Sequence, residues 1–170
     1  MKVKVSELKS QVLQALIKAG YNIDDANMIT NVVMFGQMSG KLSHGIVRLF
    51  KGDLNLLENI GDEPYEIIEK TQNSAQIIAH HQPGILIGHK AMNKVIELAK
   101  KNKVALVSTI GTHSTSGCLT YYLEQIARNN LIGIVMLQSA PFIAPFNSKE
   151  ALFGTNPMGY GFPTNGKPLL

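Results

Sequence analysis

The chain has 170 residues, of which 45% are hydrophobic and 16% charged, with a formal net charge of +4; this balance fits one globular domain able to bury a core. A single cysteine, Cys118, rules out an internal disulfide and a cysteine-based zinc site and points to a reducing, cytoplasmic compartment. No run of about 18 apolar residues is present, so no membrane span is expected, and the one dense basic cluster, Lys100, Lys101 and Lys103, has no aromatic interleaving to support nucleic-acid binding.

Glu7, Lys9, Gln11 and Gln14 interrupt the N-terminal stretch, so no signal peptide is expected. Residues 6–19 carry a helical stripe of Leu8, Val12, Ala15, Leu16 and Ala19, ended by Gly20. A second helix is predicted over 24–38, with Asp24 and Asp25 at its positive end. Met28, Val32 and Phe35 face inward in it, and Ser39-Gly40 closes it. Residues 44–58 read as a third helix, with Ile46, Leu49, Phe50 and Leu57 as its buried face. After a loop at 61–64 the period changes to two. Residues 65–70 and 75–80 read as strands joined through Gln72-Asn73-Ser74. A turn at 81–84 leads into a helix over 85–101. Residues 104–110 predict an apolar strand, 117–129 a helix, 132–137 another buried strand and 158–162 a last one. The change of pattern near Gly61 divides the chain into a helical segment, 1–60, and the first part of a mixed domain, 61–170. The predicted class is α/β (α+β): helices first, then a mixed sheet with helices.

The densest chemistry lies at Leu42-Ser43-His44-Gly45-Ile46-Val47-Arg48-Leu49. Ser43 is a natural N-cap. On a helix His44 and Arg48, four residues apart, share a face. An imidazole beside a fixed cation suits an anionic substrate that gains or loses a proton; the plainer alternative is a capped surface helix. His113 lies in a hydroxyl-rich turn after a strand, where α/β sheets place ligands; it reads equally as a helix-entry loop with Ser116 as N-cap. Gly111-Thr112-His113-Ser114-Thr115-Ser116-Gly117 lacks G-x-G-x-x-G, so a Rossmann fold is not predicted. The run from Gly161 to Lys167 imitates a P-loop, but Pro168 stands where a magnesium-binding hydroxyl belongs. His80, His81 and His89 have no acidic partner at ligand spacing, so no metal site is predicted.

Ser43-His44-Gly45-x-x-Arg48, the His113 loop, Leu131-Ile132-Gly133-Ile134, Gln138-Ser139-x-Pro141, Ala144-Pro145-Phe146 and Gly154-Thr155-Asn156-Pro157 occur in the order seen in one family. The chain resembles the malate/L-lactate dehydrogenase family of non-Rossmann NAD(P)-dependent 2-hydroxyacid dehydrogenases, with Gln138-Ser139-x-Pro141 leaning toward ureidoglycolate dehydrogenases. The resemblance implies hydride transfer between NAD or NADP and a small 2-hydroxy or 2-oxo acid of ureidoglycolate, malate or lactate type. It also implies a homodimer. Arg48 matches the group that holds the substrate carboxylate. The acid/base is His44, oriented by Ser43, or His113. Ser139, Gln138 and Asn156 match cofactor-contacting positions, and Thr155 a substrate-lining one. Two departures stand out: Ser114-Thr115-Ser116 lengthens the loop between His113 and Gly117, and Asn147-Ser148 replaces a glycine pair. Family chains are about twice as long, so the chain reads as an N-terminal half, expected by itself neither to bind NADH tightly nor to turn over. The alternatives are an inactive truncated remnant and a small-molecule binding domain.

Overall fold

A computed structural model describes residues 2–50, 55–58, 61 and 63–170. Residues 1–121 and 122–170 form two compact units.

The first unit opens with α1 (Val5–Ala19) and α2 (Ile23–Met38). Helix α1 buries Val12 and Leu16, and ends where Gly20 turns left-handed at φ 113° and donates back to Leu16 and Ile17. The Asn22 side chain starts α2 by accepting from the Asp25 backbone N–H at 2.9 Å. Ala26, Ile29, Val32, Val33 and Met34 are buried, so α2 is enclosed over more than one stripe. Two 3₁₀ turns follow, Leu42–His44 and Ile46–Leu49.

Strands β1 (Glu66–Thr71) and β2 (Ser74–Ile78) form an antiparallel hairpin. Helix α3 (Gly84–Asn102) carries the chain across to β3 (Leu106–Ile110), which lies parallel to β2. The sheet order is β1-β2-β3. Ile77 and Ala79 pack with Ile87 of α3, flanked by Tyr65, Ala91 and Val107, so α3 seals one face of the sheet. Helix α4 (Leu119–Arg128) leads into the second unit, whose sheet is the antiparallel ribbon of β4 (Gly133–Met136) and β5 (Met158–Gly161). Among the described residues no helix is long and apolar enough to cross a membrane.

The α/β class and the order of elements follow the sequence pattern, but three local expectations do not hold. The helix expected over 44–58 is replaced, where described, by the two short turns; residues 51–54, 59 and 60 lie outside the described residues. Gly45 breaks the first turn from the second with ψ −145°. Further on, the Asn55 side chain accepts from the N–H groups of Leu57 and Glu58, a local bond that competes with helix. Phe50, expected in the core, is 66% exposed. The strands expected to be buried at 104–110 and 132–137 are covered on one face only: Leu106, Ile110, Ile134 and Met136 are exposed.

Candidate active site

In the first unit the turn at 42–49 is built on α2. A Cβ added to Gly36 would stand 2.5 Å from the His44 carbonyl oxygen, so only glycine lets this turn lie against the helix. The next residue, Gln37, reaches up and its Oε1 accepts the Ile46 N–H at 3.2 Å. A Cβ on Gly45 would meet the Gln37 backbone at 3.0 Å. Backbone bonds from His44 to Lys41 and from Arg48 to Gly45 close the two turns.

Ser43 ties the two candidate groups together. Its hydroxyl lies 3.0 Å from His44 Nδ1, and its carbonyl accepts from Arg48 Nε at 2.6 Å. Ser43 therefore does not cap a helix; it orients the ring with its side chain and the guanidinium with its backbone. His44 and Arg48 meet through this bond pattern and not through the face of an α-helix. Among the described residues every ion pair uses another cation, so no carboxylate neutralises Arg48. Partial burial pushes the His44 pKa below the usual histidine value, and Arg48 and Lys41 push it further the same way.

The His113 loop is anchored at the start of α3. The His113 N–H donates to the Gln82 carbonyl at 3.2 Å, and its carbonyl accepts the Gly84 N–H at 2.8 Å, occupying one of the orphan donors of that helix end. His113 is half-buried, and Ser114 beside it is held left-handed at φ 63°. At the far end of the loop, a Cβ on Gly117 would lie 2.8 Å from Val32 Cγ1. Val32 and Gly36 are four residues apart on α2, so the His113 loop and the His44 turn rest on one face of one helix, a turn apart.

The second unit joins two motifs 16 residues apart. The Ser139 hydroxyl accepts the Thr155 N–H at 2.9 Å and lies 3.3 Å from the Thr155 hydroxyl. The Ser139 N–H donates to Asn156 Oδ1 at 3.2 Å. Asn156 itself is left-handed at φ 41°. A Cβ on Gly154 would fall 2.8 Å from the Ser139 carbonyl carbon, which makes glycine necessary to the approach. Gln138 is exposed beside this knot.

A cavity of about 580 Å³ lined by Tyr21, Asp25, Tyr65, Gln82 and Lys90 contains none of the sequence-predicted site residues. Lys90 is paired with Asp25 across it at 2.8 Å and stands over the Tyr65 ring, which fits a tie between α2, α3 and the sheet. Sequence reasoning missed Gly36 and Gln37. A glycine inside an otherwise good helix was the available signal, because glycine there is disfavoured unless a close approach requires it.

The sequence profile of the malate/L-lactate dehydrogenase family matches residues 3–170. The chain is 31% identical over its whole length to a malate dehydrogenase from Pyrococcus abyssi, covering 47% of that protein. It is 32% identical to the ureidoglycolate dehydrogenase (NAD(+)) of Escherichia coli O157:H7, covering all of this chain and 49% of that one. The solved structure of the sulfolactate dehydrogenase from Methanocaldococcus jannaschii superposes with a TM-score of 0.88 at 30% identity, over 99% of this chain and 49% of that one. The chain thus spans about half the length of the relatives it matches.

Proposed function

Because the chain belongs to the malate/L-lactate dehydrogenase family, we propose that it supplies the acid/base and carboxylate-holding part of an oxidoreductase that moves a hydride between NAD or NADP and a small 2-hydroxy acid. The turn at 43–48 carries this reading. It presents a neutral, oriented imidazole next to a cation that no described carboxylate neutralises.

A 2-hydroxy acid offers a carboxylate and, one carbon away, the hydroxyl to be oxidised. Arg48 binds the carboxylate through charge-assisted hydrogen bonds. His44 takes the hydroxyl proton as the carbinol becomes a carbonyl, and in the reverse direction returns it to the carbonyl oxygen. Its lowered pKa keeps it in the proton-accepting form at neutral pH, and Ser43 fixes the ring by its contact at Nδ1. His113, in the loop anchored at the start of α3, contacts the substrate. The nicotinamide, when bound, supplies the hydride acceptor or donor. The donor set of the second unit fits such a group: the Ser139 and Thr155 hydroxyls and the Asn156 and Gln138 carboxamides offer the hydrogen bonds that a carboxamide and a ribose require. Ser139, Gln138 and Asn156 are assigned to the cofactor and Thr155 to the substrate.

Relatives named for malate, sulfolactate and ureidoglycolate support an anionic hydroxy acid as substrate class. We infer a cytoplasmic homodimer; the buried free thiol of Cys118 supports the reducing compartment. The deciding experiment is His44→Gln in the whole polypeptide, assayed with NAD and NADP against a panel of 2-hydroxy acids. A general base gives a fall in kcat of about 10²–10⁴ with KM little changed. An unchanged kcat would make this turn a binding element only.

A further inference from the structure

The turn that holds His44 begins where α2 ends, and Lys41 belongs to both. Gly40 is left-handed at φ 73°. Its N–H donates to the Gln37 carbonyl at 3.2 Å, and the Lys41 N–H donates to the Gly36 carbonyl at 3.0 Å. This pair of bonds closes a helix through a left-handed glycine. The Lys41 carbonyl then accepts the His44 N–H at 2.8 Å. Both backbone groups of Lys41 are therefore committed, one to the helix and one to the turn, and its Cα is fixed at the base of the His44 turn.

The residue after a closing glycine frequently packs an apolar side chain back on the helix. Here the position carries an exposed lysine, so packing of the cap does not account for it. Its plainer role is to place a cation at the negative end of α2. Two observations point further. Leu42–His44 is a 3₁₀ turn, in which residues three apart eclipse one another, and Lys41, which opens it, stands three residues before His44. Partial burial, Arg48 and Lys41 all hold the His44 pKa below its ordinary value, so the lysine charge reaches the ring. Among the described residues neither Lys41 nor Arg48 has a carboxylate within ion-pair distance.

Two uncompensated cations thus act on one proton-exchanging group, and the carboxylate of a 2-hydroxy acid answers one of them. Resting on the function proposed for this turn, we propose that Lys41 binds a second anionic group on the substrate, so that the site selects dianionic 2-hydroxy acids over monoanionic ones. Arg48 suits the carboxylate beside the reacting carbon, because its Nε bond to Ser43 fixes the guanidinium plane. Lys41 suits the distal group, because an ammonium on a flexible stem is an adaptable point charge.

Malate and 2-hydroxybutyrate test this, since the second acid carries a methyl group in place of the distal carboxylate of the first. The protein is assayed with both acids and NAD or NADP, above the acid limb of His44, as wild type, Lys41→Gln and Lys41→Arg. The ratio of kcat/KM for the two acids cancels whatever Lys41 does to the ring or to the helix end. Wild type should favour malate. Lys41→Gln should raise KM for malate about fivefold and change that for 2-hydroxybutyrate less than about twofold, the scale of one exposed charge pair. Lys41→Arg should keep most of the preference, and added salt should weaken malate more steeply than 2-hydroxybutyrate. An equal effect of Lys41→Gln on both acids, no effect on either, or a wild-type preference for 2-hydroxybutyrate overturns the proposal and leaves the acid/base role of the turn standing. Turnover of no 2-hydroxy acid by the wild type removes that role, and the proposal with it.

Discussion

Replacing Gly36 by alanine sets two effects of opposite sign against each other. Inside a helix alanine is favoured over glycine by about 0.8–1.0 kcal/mol, so local propensity predicts stabilisation. The tertiary structure predicts the reverse. The new Cβ would stand 2.5 Å from the His44 carbonyl oxygen, whereas a comfortable carbon–oxygen contact begins near about 3.3 Å. The turn must retreat by about 0.8 Å, the difference between those distances. It is backbone that must move, and that backbone is held by the His44 N–H on Lys41 and the Lys41 N–H on Gly36. Overpacking of this kind costs about 1–3 kcal/mol, which leaves a net loss of roughly 0–2 kcal/mol after the helix gain. In the role proposed for His44, activity falls further than stability, since a displacement near 1 Å at an acid/base costs about 10²-fold. The assay pairs urea denaturation with kcat for oxidation of a 2-hydroxy acid by the whole polypeptide. Gly40→Ala is the control: it has open space around it and φ 73°, so it loses about 1–2 kcal/mol through left-handed strain alone and leaves kcat intact. A Gly36→Ala protein that gains about 1 kcal/mol with wild-type kcat would refute the argument.

Arg48→Lys keeps the charge but loses the planar fork and the Nε bond to Ser43; KM for the acid substrate should rise about tenfold or more with kcat less affected, and an unchanged KM removes Arg48 from carboxylate binding. The pH profile carries a sign. In the role proposed for His44, oxidation draws on the neutral ring, so its acid limb should lie below the ordinary histidine range, while reduction, which draws on the protonated ring, should decline as pH rises through the same value. Lys41→Gln removes one of the cations that depress His44, and the acid limb should move to higher pH; no movement would mean that Lys41 does not act on the ring. Ser139→Ala deletes the acceptor of the Thr155 N–H; it should lower stability by about 0.5–1.5 kcal/mol and weaken NAD(H) binding measured by calorimetry, and unaltered affinity would remove Ser139 from the cofactor.

Legibility varied by element. Helices α1, α3 and α4 and strand β2 are visible in the sequence because each buries one face, so its apolar residues recur with the period of its own backbone. The span 44–58 misled for a physical reason: Ile46 and Leu49 keep helical spacing, yet a glycine with ψ −145° and an asparagine that caps its own turn divert the backbone. The apolar runs at 104–110 and 132–137 looked like strands covered on both faces, because composition reports what a strand can bury and not what is present to cover it.

The sequence by itself determined the class, the order of elements and the residue types able to hold a carboxylate and exchange its neighbouring proton. Those are local properties, set by periodicity, turn chemistry and side-chain pKa. Only the tertiary structure decided that Ser43 orients both His44 and Arg48, that Gly36 and Gln37 hold their turn from a different helix, and that Ser139 meets Thr155 and Asn156 across 16 and 17 residues. Such contacts depend on where the chain comes back to itself, and a Cβ at Gly36 or Gly154 would forbid them.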